Sequence, residues 1–262
     1  MLEEEHHAGS DWLMRTRLLL GDDAMARLAK ARVCVVGMGA VGSYVVEGLA
    51  RSGVGWLRLA DFDEIKPSNV NRQLFALTST LGRSKVEVAR ERVLDINPDC
   101  QVEPVRCFAT AETMRRLVDN NLDLVVDAID SLNPKVDLIE AGVTCGLPVY
   151  SALGAATRTD LGEVDFDSLF KTKACPLGRL VRKRLRRRGI HEGDIWCVYS
   201  KELRNPDAVR EREPGEEEGS EAEYRRGRDR RVLGSLATVT GVFGLRLAHE
   251  IILRLSGFAL RP

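Results

Sequence analysis

Acidic, amide and basic side chains crowd one short segment of the chain, "DFDEIKPSNVNRQLF", and the stretch that follows it. The polar members are Asp61, Asp63, Asn69, Asn71, Arg72, Gln73 and Lys85. An arginine and a lysine among carboxylates suit a nucleoside triphosphate with Mg²⁺, because the cations neutralise phosphate charge and a carboxylate can hold the metal. Hydride transfer on a dinucleotide needs neither. The alternative interpretation is a surface ion-pair network.

A glycine-rich turn precedes this segment. Gly37, Gly39 and Gly42 match G-x-G-x-x-G between the apolar run "RVCVV" and a helical pattern. In that context the glycines let the backbone approach phosphates, and the helix N-terminus offers N–H groups. Asp61 lies 19 residues after Gly42, where a carboxylate can accept hydrogen bonds from ribose hydroxyls. We predict a nucleotide site, which this loop alone does not assign to NAD or ATP. A tight turn without a ligand is the alternative.

Strand and helix patterns alternate from Arg32 to Leu153. They predict an α/β fold, a Rossmann-like doubly wound and mostly parallel sheet with helices on both faces, plus a smaller C-terminal extension. Because the carboxyl ends of parallel strands converge on the ligand crevice, the strand "LDLVVDAID" should bring Asp127 and Asp130 to the glycine loop.

The remaining sequence predicts additional parts around this core. "TKACPLGRLVRKRLRRRGI" is typical of a basic helix, and residues 211–223 hold seven Glu before five Arg in 225–231, a composition typical of a mobile surface insertion. The predicted divisions are 1–31, an N-terminal helical arm; 32–153, an ATP-binding adenylation core; 154–206, a basic helix and substrate region; 207–231, the mobile charged insertion; and 232–262, a C-terminal helix packing on the core.

Composition narrows the class of protein. Lys plus Arg and Asp plus Glu each total 39 of 262 residues, so no net field directs the chain toward nucleic acid or anionic lipid. The six cysteines form no CxxC pair, which argues against a structural zinc site. The N-terminus lacks a signal-peptide pattern. A cytoplasmic protein that does not bind membranes is the expectation.

Four ordered stretches carry a resemblance to a known family: "RVCVVGMGAVGS", "LADFDEIKPSNVNRQLF", "GRSKVEVARERVLDINP" and "VVDAIDS". From about residue 15 to residue 153 the chain resembles the ThiF/MoeB/HesA family of ubiquitin-activating-enzyme-like adenylating proteins. In that family a substrate carboxylate attacks the α-phosphate of ATP, giving an acyl-adenylate and pyrophosphate. The resemblance therefore implies an ATP-dependent enzyme.

The resemblance also implies residue roles. Asp61 would hold the ribose, Asn69, Arg72 and Lys85 the phosphates, and Asp130 would position Mg²⁺ or the α-phosphate region. Arg17 matches an N-terminal arginine that reaches a partner subunit's ATP, which implies a homodimer; an ordinary exposed arginine is the alternative. The predicted catalytic residues are Arg17, Arg72, Lys85 and Asp130, the last also the metal ligand. The predicted nucleotide-binding residues are Gly37, Gly39, Gly42, Asp61, Asp63, Asn69 and Gln73.

Other stretches resemble one branch of the family, the tRNA threonylcarbamoyladenosine dehydratases: "NVNRQ", "DAIDSLNPK", "CPLGRLVRKRLRRRGI", "CVYSKE" and "GSLATVTGVFG". This resemblance implies that ATP activates the threonyl carboxylate of the modified base in tRNA, which then cyclises with release of AMP. The alternative is a ThiF/MoeB-type adenylyltransferase that activates the C-terminus of a small sulfur-carrier or ubiquitin-like protein. A non-catalytic ATP sensor or scaffold is a third hypothesis.

The predicted basic helix is the candidate tRNA-docking element. Residues 179–188 carry seven Lys or Arg in ten positions, while Leu177, Val181 and Leu185 form an apolar stripe for packing. We expect Arg182 on the exposed basic face. A solvated face that balances the Glu-rich insertion is the alternative.

Sulfur-transfer proteins are kept as an open partner class. Members of the branch can carry a Cys near "GSLATVTG", where Val232 and Leu233 stand here. Cys175 and Cys197 are the best remaining candidates for a functional cysteine, although an unreactive structural thiol is favoured for both.

Overall fold

The computed structural model describes residues 12–108, 110–211 and 232–258. The helices are α1 (Met14–Leu20), α2 (Asp22–Lys30), α3 (Gly42–Arg51), α4 (Lys85–Ile96), α5 (Ala111–Leu117), α6 (Leu132–Thr144), α7 (Pro176–Arg187) and α8 (Ala237–Ser256). The strands are β1 (Arg32–Val36), β2 (Trp56–Asp61), β3 (Gln101–Arg106), β4 (Leu124–Asp127), β5 (Val149–Ala152), β6 (Val164–Ser168), β7 (Ile195–Ser200), β8 (Val209–Arg210) and β9 (Val232–Leu233).

Seven strands form one sheet in the order β3-β2-β1-β4-β5-β7-β6. All neighbouring pairs are parallel except β6 with β7 at one edge. The order reverses direction between β1 and β4, and such a switch point leaves a crevice at the carboxyl ends of the strands. The predicted α/β doubly wound sheet is confirmed.

The strand register aligns the ends of β1, β2 and β4. Val36 is opposite Ala60 on one side and Asp127 on the other. Gly37, which follows β1, and Asp61, which ends β2, therefore lie at the same level of the sheet. A shift of the strand register by one residue would turn every side chain of that strand to the other face. Burial of the apolar residues of β1 therefore fixes the register and, with it, the position of the polar residues at the strand ends.

Helices cover both faces of the sheet. One core packs α2, α3, α4 and α8 against the strands and includes Leu49, Val93 and Phe243. On the opposite face α5 and α6 pack through residues such as Met114 and Leu138, and α7 packs beside α6. Both faces are apolar, which is why the central strands β1 and β4 have nearly continuous runs of Val and other apolar residues rather than an alternating pattern.

The sheet continues beyond Leu153, where the sequence analysis gave no strands. β7 adds to β5 in parallel, and β6 returns antiparallel along its outer side. β6 is an edge strand with polar residues and is only half-buried, whereas β7 is apolar and almost entirely buried.

The charged insertion predicted for 207–231 lies mostly outside the described residues. Near its start, Val209 and Arg210 pair with Leu233 and Val232 as a two-stranded antiparallel ribbon. Within the described ranges no helix is both long and apolar enough to cross a membrane.

Candidate nucleotide-binding site

The glycine loop connects β1 to α3 through positions that only glycine fits. A Cβ on Gly42 would lie 1.8 Å from the carbonyl oxygen of Gly37, and a Cβ on Gly37 would lie 2.7 Å from the Ala128 oxygen. Gly39 differs, because the nearest atom to its Cβ position is the Gln73 amide nitrogen at 3.9 Å. Gly37 and Gly42 thus permit the turn, whereas the absent side chain of Gly39 leaves space above the loop.

Asp61 is bound to the loop by its carboxylate. One oxygen accepts a hydrogen bond from the Met38 N–H at 2.7 Å, and the other accepts one from the Asp63 N–H at 2.9 Å. Burial raises the pKa of this carboxyl above its ordinary value, while the charge of Lys85 opposes the rise. Each carboxylate oxygen can accept more than one hydrogen bond, so the orientation suits two ribose hydroxyls.

Asp63 orients Lys85. The Lys85 ammonium donates to the Asp63 carboxylate at 2.9 Å, and the Lys85 backbone N–H donates to the Asp63 carbonyl at 3.1 Å. Only 5% of Lys85 is exposed. A buried ammonium on a flexible stem needs such a partner, since an unpaired charge in low dielectric is costly.

The amide-rich turn between β2 and α4 fixes Arg72. The Arg72 guanidinium donates to the Ser68 carbonyl at 2.8 Å and to the Asn71 side-chain oxygen at 2.7 Å. Asn69 is buried, and its side-chain oxygen accepts the Lys66 N–H at 3.1 Å. The predicted group of Asp61, Asp63, Asn69, Arg72, Gln73 and Lys85 therefore lies on one loop and one helix start beside the glycine loop.

The two acids that follow β4 have different environments. Asp127 is fully buried and accepts from the Lys135 ammonium at 2.7 Å and the Ser151 hydroxyl at 2.6 Å. Lys135, also fully buried, was missed by sequence reasoning because it lies in an ordinary helical pattern. Asp130 is exposed, and the Ser131 hydroxyl donates to it at 3.1 Å. Asp127 thus holds β4 to β5, whereas Asp130 can meet a ligand.

Arg17 lies apart from these residues in this chain. It pairs with Asp22 at 3.0 Å on the N-terminal arm. Leu13 of that arm packs against Gly53. Gly53 follows the C-terminal end of α3, whereas the glycine loop precedes its N-terminal end. Arg17 is therefore not joined to the cluster within one chain.

The basic helix α7 has the predicted amphipathic arrangement, with one correction. Val181 and Leu185 are buried, and Arg179, Lys183, Arg186 and Arg187 are exposed. Arg182 was expected on the exposed face, but it is partly buried and donates to the Leu169 carbonyl and the Thr172 hydroxyl. Its position one residue after Val181 turns it toward the turn that precedes α7.

The cysteines are free thiols. Cys175 and Cys197 are both buried, and burial raises the pKa of the Cys197 thiol. A raised pKa opposes thiolate formation and nucleophilic reactivity. No cluster of metal-ligating side chains occurs among the residues that the structure describes.

A glycine loop at a switch point, with a buried acid, an arginine and a lysine beside it, is the arrangement typical of a nucleotide-binding α/β protein. A model of the ThiF family matches residues 13–262, and the chain belongs to that family. It is 36% identical to the tRNA threonylcarbamoyladenosine dehydratase of Bacillus subtilis over 241 residues, which cover 92% of this chain and 93% of the relative.

Solved structures agree with this similarity. The crystal structure of the Escherichia coli tRNA N6-threonylcarbamoyladenosine dehydratase in complex with ATP superposes with a TM-score of 0.81 at 31% identity. The match covers 95% of this chain and 96% of that one. By contrast, the molybdopterin-synthase adenylyltransferase of Salmonella typhimurium is 35% identical over 148 residues, 56% of this chain and 58% of that relative.

Proposed function

We propose that this protein is an ATP-dependent tRNA threonylcarbamoyladenosine dehydratase. The observation that carries the proposal is the extent of similarity: dehydratase sequences match 63% to 99% of the chain and a dehydratase structure matches 95% of it, whereas the molybdopterin-synthase and ThiS adenylyltransferases match 53% to 56%. The crevice geometry supports the same conclusion, because it combines phosphate-binding cations with an acid oriented for ribose.

The proposed reaction has two steps. A threonyl carboxylate oxygen attacks the α-phosphorus of ATP, the bond to pyrophosphate breaks, and an acyl-adenylate forms. A nucleophile of the same modified base then attacks the acyl carbon, and AMP leaves with the carboxylate oxygen, so the nucleoside has lost one water. Because the nucleophile belongs to the substrate, the chain needs no reactive thiol, in agreement with its buried Cys175 and Cys197.

The residues of the crevice would act by binding and charge stabilisation. Asp61 would accept the ribose hydroxyls, and Lys85 and Arg72 would neutralise charge that develops on the phosphates. Asp63 is a positioning residue, since it holds the Lys85 ammonium at 2.9 Å. Asn69, whose oxygen is used by the Lys66 N–H, would offer its amide N–H groups to a phosphate.

Mg²⁺ is part of the proposal. Mg²⁺ commonly takes one or two protein carboxylates and completes its octahedron with phosphates and water. Exposed Asp130 fits this requirement, whereas Asp127 is committed to Lys135 and Ser151. Bound there, the ion would neutralise phosphate charge.

A homodimer completes the site in this proposal. No residue of α1 is buried in the single chain, and Leu18 and Leu19 are 79% and 73% exposed. Adjacent exposed leucines on a short helix are suited to an interface with a second copy. The same helix carries Arg17, which a twofold arrangement would deliver to the partner's ATP.

The test is a nucleoside mass assay. Purified protein, ATP, Mg²⁺ and tRNA carrying threonylcarbamoyladenosine should yield AMP, pyrophosphate and a nucleoside lighter by one water. Omitting ATP is the control. If modified tRNA gives no dehydrated nucleoside with ATP present, the assignment is wrong. The cytoplasm, where tRNA is modified and used, is the proposed location.

A further inference from the structure

Arg158 is a buried cation that forms an ion pair with no carboxylate of the described residues. Only 4% of the residue is exposed. Its Nε has no hydrogen-bond partner, and its Nη1 makes two long contacts to Thr157, at 3.4 and 3.5 Å. Within the described ranges Arg158 forms no ion pair. Burial lowers the pKa of its guanidinium, yet an arginine stays protonated in proteins.

The Glu202 carboxylate, whose charge acts on Arg158, is already hydrogen-bonded to other groups. It accepts the backbone N–H groups of Thr159 and Asp160, each at 2.9 Å. Glu202 therefore shapes the loop and does not form a salt bridge with Arg158. The positive charge of Arg204 acts on Arg158 in the opposite sense.

The loop that carries Arg158 borders the nucleotide site. It follows β5 at the carboxyl edge of the sheet. The Thr157 N–H donates to the Gly234 carbonyl at 2.8 Å, and the next carbonyl, that of Ser235, accepts the Asn71 side-chain amide at 3.3 Å. Two successive residues thus join the Arg158 loop to the residue that holds Arg72.

The loop is held in an unfavourable conformation. Thr157 has φ of 63°, a region that β-branched residues avoid. Such strain persists when surrounding contacts enforce it, and it is concentrated at ligand sites. The hydrogen bonds from Thr157 to Gly234 and from Asn205 to Thr157 supply that enforcement. A strained loop that also buries an unpaired charge lowers the stability of the free protein, and an anionic ligand would offset that cost.

We propose that Arg158 binds an anionic oxygen of the tRNA substrate on the acceptor side of the crevice. The assignment rests on the proposed function for the identity of the substrate. Two oxygens could fill the role, the threonyl carboxylate that is adenylated or a phosphate of the tRNA backbone. A guanidinium presents two parallel N–H groups to either one.

The experiment compares three variants. Arg158→Gln removes the charge, and Arg158→Lys keeps it without the planar fork. Arg58→Gln is the matched control, because Arg58 is also partly buried but pairs with Glu103 at 3.0 Å and Asp119 at 2.8 Å. For each protein, affinity for threonylcarbamoyl-modified tRNA and for the same tRNA without the modification is measured in the absence of ATP. ATP affinity and melting temperature are measured separately.

Arg158→Gln should weaken binding of modified tRNA by about tenfold to 100-fold, the loss expected for one charged hydrogen bond. ATP affinity should be unchanged, and the melting temperature should equal or exceed that of the wild type because an unpaired buried charge has gone. Arg158→Lys should restore part of the affinity. Arg58→Gln should lower the melting temperature and leave tRNA affinity unchanged.

The two tRNAs identify the bound oxygen. A loss confined to modified tRNA assigns Arg158 to the carboxylate, and an equal loss for both assigns it to a phosphate. Unchanged affinity for both tRNAs, or a loss of ATP affinity in its place, overturns the proposal. If Arg158→Gln does not fold, the same criteria apply to Arg158→Lys. Turnover by the wild type tests the dehydratase function independently, since these measurements need only binding.

Discussion

The Asp63 carboxylate determines where the Lys85 ammonium lies. Lys85 is the first residue of α4, and its ammonium is directed by a carboxylate one loop away. The proposed phosphate ligand is thus a preorganised charge, which costs little reorganisation during a reaction. Arg72 is held by a carbonyl and an amide instead of an acid, so its full charge is available to a ligand.

Replacing Lys85 or Arg72 by Ala should reduce the rate by about 100-fold, or about 3 kcal/mol, because transition-state charge loses a stabilising partner. Steady-state AMP release measures the effect. Arg83→Ala is the control, because Arg83 lies two residues before α4, is exposed and pairs with Glu91 of that helix. Wild-type turnover in a Lys85 or Arg72 variant would remove that residue from the catalytic group.

The glycines of the loop should separate folding from ligand binding. Gly39→Ala meets no atom closer than 3.9 Å, so stability should be retained while ATP affinity falls, because the methyl group occupies space where the backbone meets phosphates. Gly42→Ala would place its Cβ 1.8 Å from the Gly37 oxygen and should lower the melting temperature. Thermal unfolding and nucleotide titration of both variants check this. Unaltered ATP affinity in Gly39→Ala would contradict the proposed phosphate position.

Among the elements, helix α7 has an apolar side that packs on the protein and a basic side that is exposed. Val181 and Leu185 bury one stripe, while four basic residues, Arg179, Lys183, Arg186 and Arg187, remain exposed. The exposed cations are spaced so that they share one side of the helix. Arg182 does not belong to this group, since its guanidinium is tied to Leu169 and Thr172.

Neutralising Arg179, Lys183, Arg186 and Arg187 to Gln should weaken tRNA binding and flatten its salt dependence. Each lost phosphate contact reduces the slope of log affinity against log salt by about 0.7 to 0.9. Binding titrations at several salt concentrations measure the slope. The matched control for net charge replaces four exposed arginines outside α7 by Gln: Arg83, Arg90, Arg115 and Arg116. An unchanged slope in the α7 variant would return this helix to the solvated-face interpretation.

For the whole molecule, the proposed dimer assigns Arg17 to the site of the partner subunit. Arg17 sits on an arm whose leucines are exposed and which packs away from the glycine loop. Only a second copy would bring this arginine to the phosphates in the proposed dimer.

Mixing two impaired variants tests this arrangement. Arg17→Ala and Lys85→Ala should each have strongly reduced activity as homodimers, by about 100-fold for Lys85→Ala, but mixed dimers contain one intact site and should recover activity. Subunits are exchanged before AMP release is measured. If the mixture is no more active than its components, Arg17 does not act across the interface. Leu18→Glu with Leu19→Glu should yield monomers by light scattering, with loss of activity.

The fold and most of the site could be predicted because their signals are local. Apolar runs between Arg32 and Leu153 mark buried strands, and the spacing of Gly37, Gly39 and Gly42 places a tight turn between strand and helix. Strand β6 gives no such signal, because it is a polar, half-buried edge strand that pairs only with β7 among the described strands. The run "IWCVYS" of β7 has the apolar character of a buried strand, but its place beside β5 depends on tertiary pairing. Arg182 was misplaced because helical periodicity gives a face but not the neighbour that a long side chain reaches.

By itself the sequence determined the parallel α/β core, the glycine loop and the residue types that suit ATP, because backbone conformation and strand ends follow from local spacing. Only the tertiary structure decided which charges are paired. It joined Asp63 to Lys85 and Asp127 to Lys135, and it left Arg158 buried with no carboxylate partner among the described residues. Residues far apart in sequence come into contact only when strands and helices pack. The electrostatic energy of a buried charge depends on the groups that surround it there.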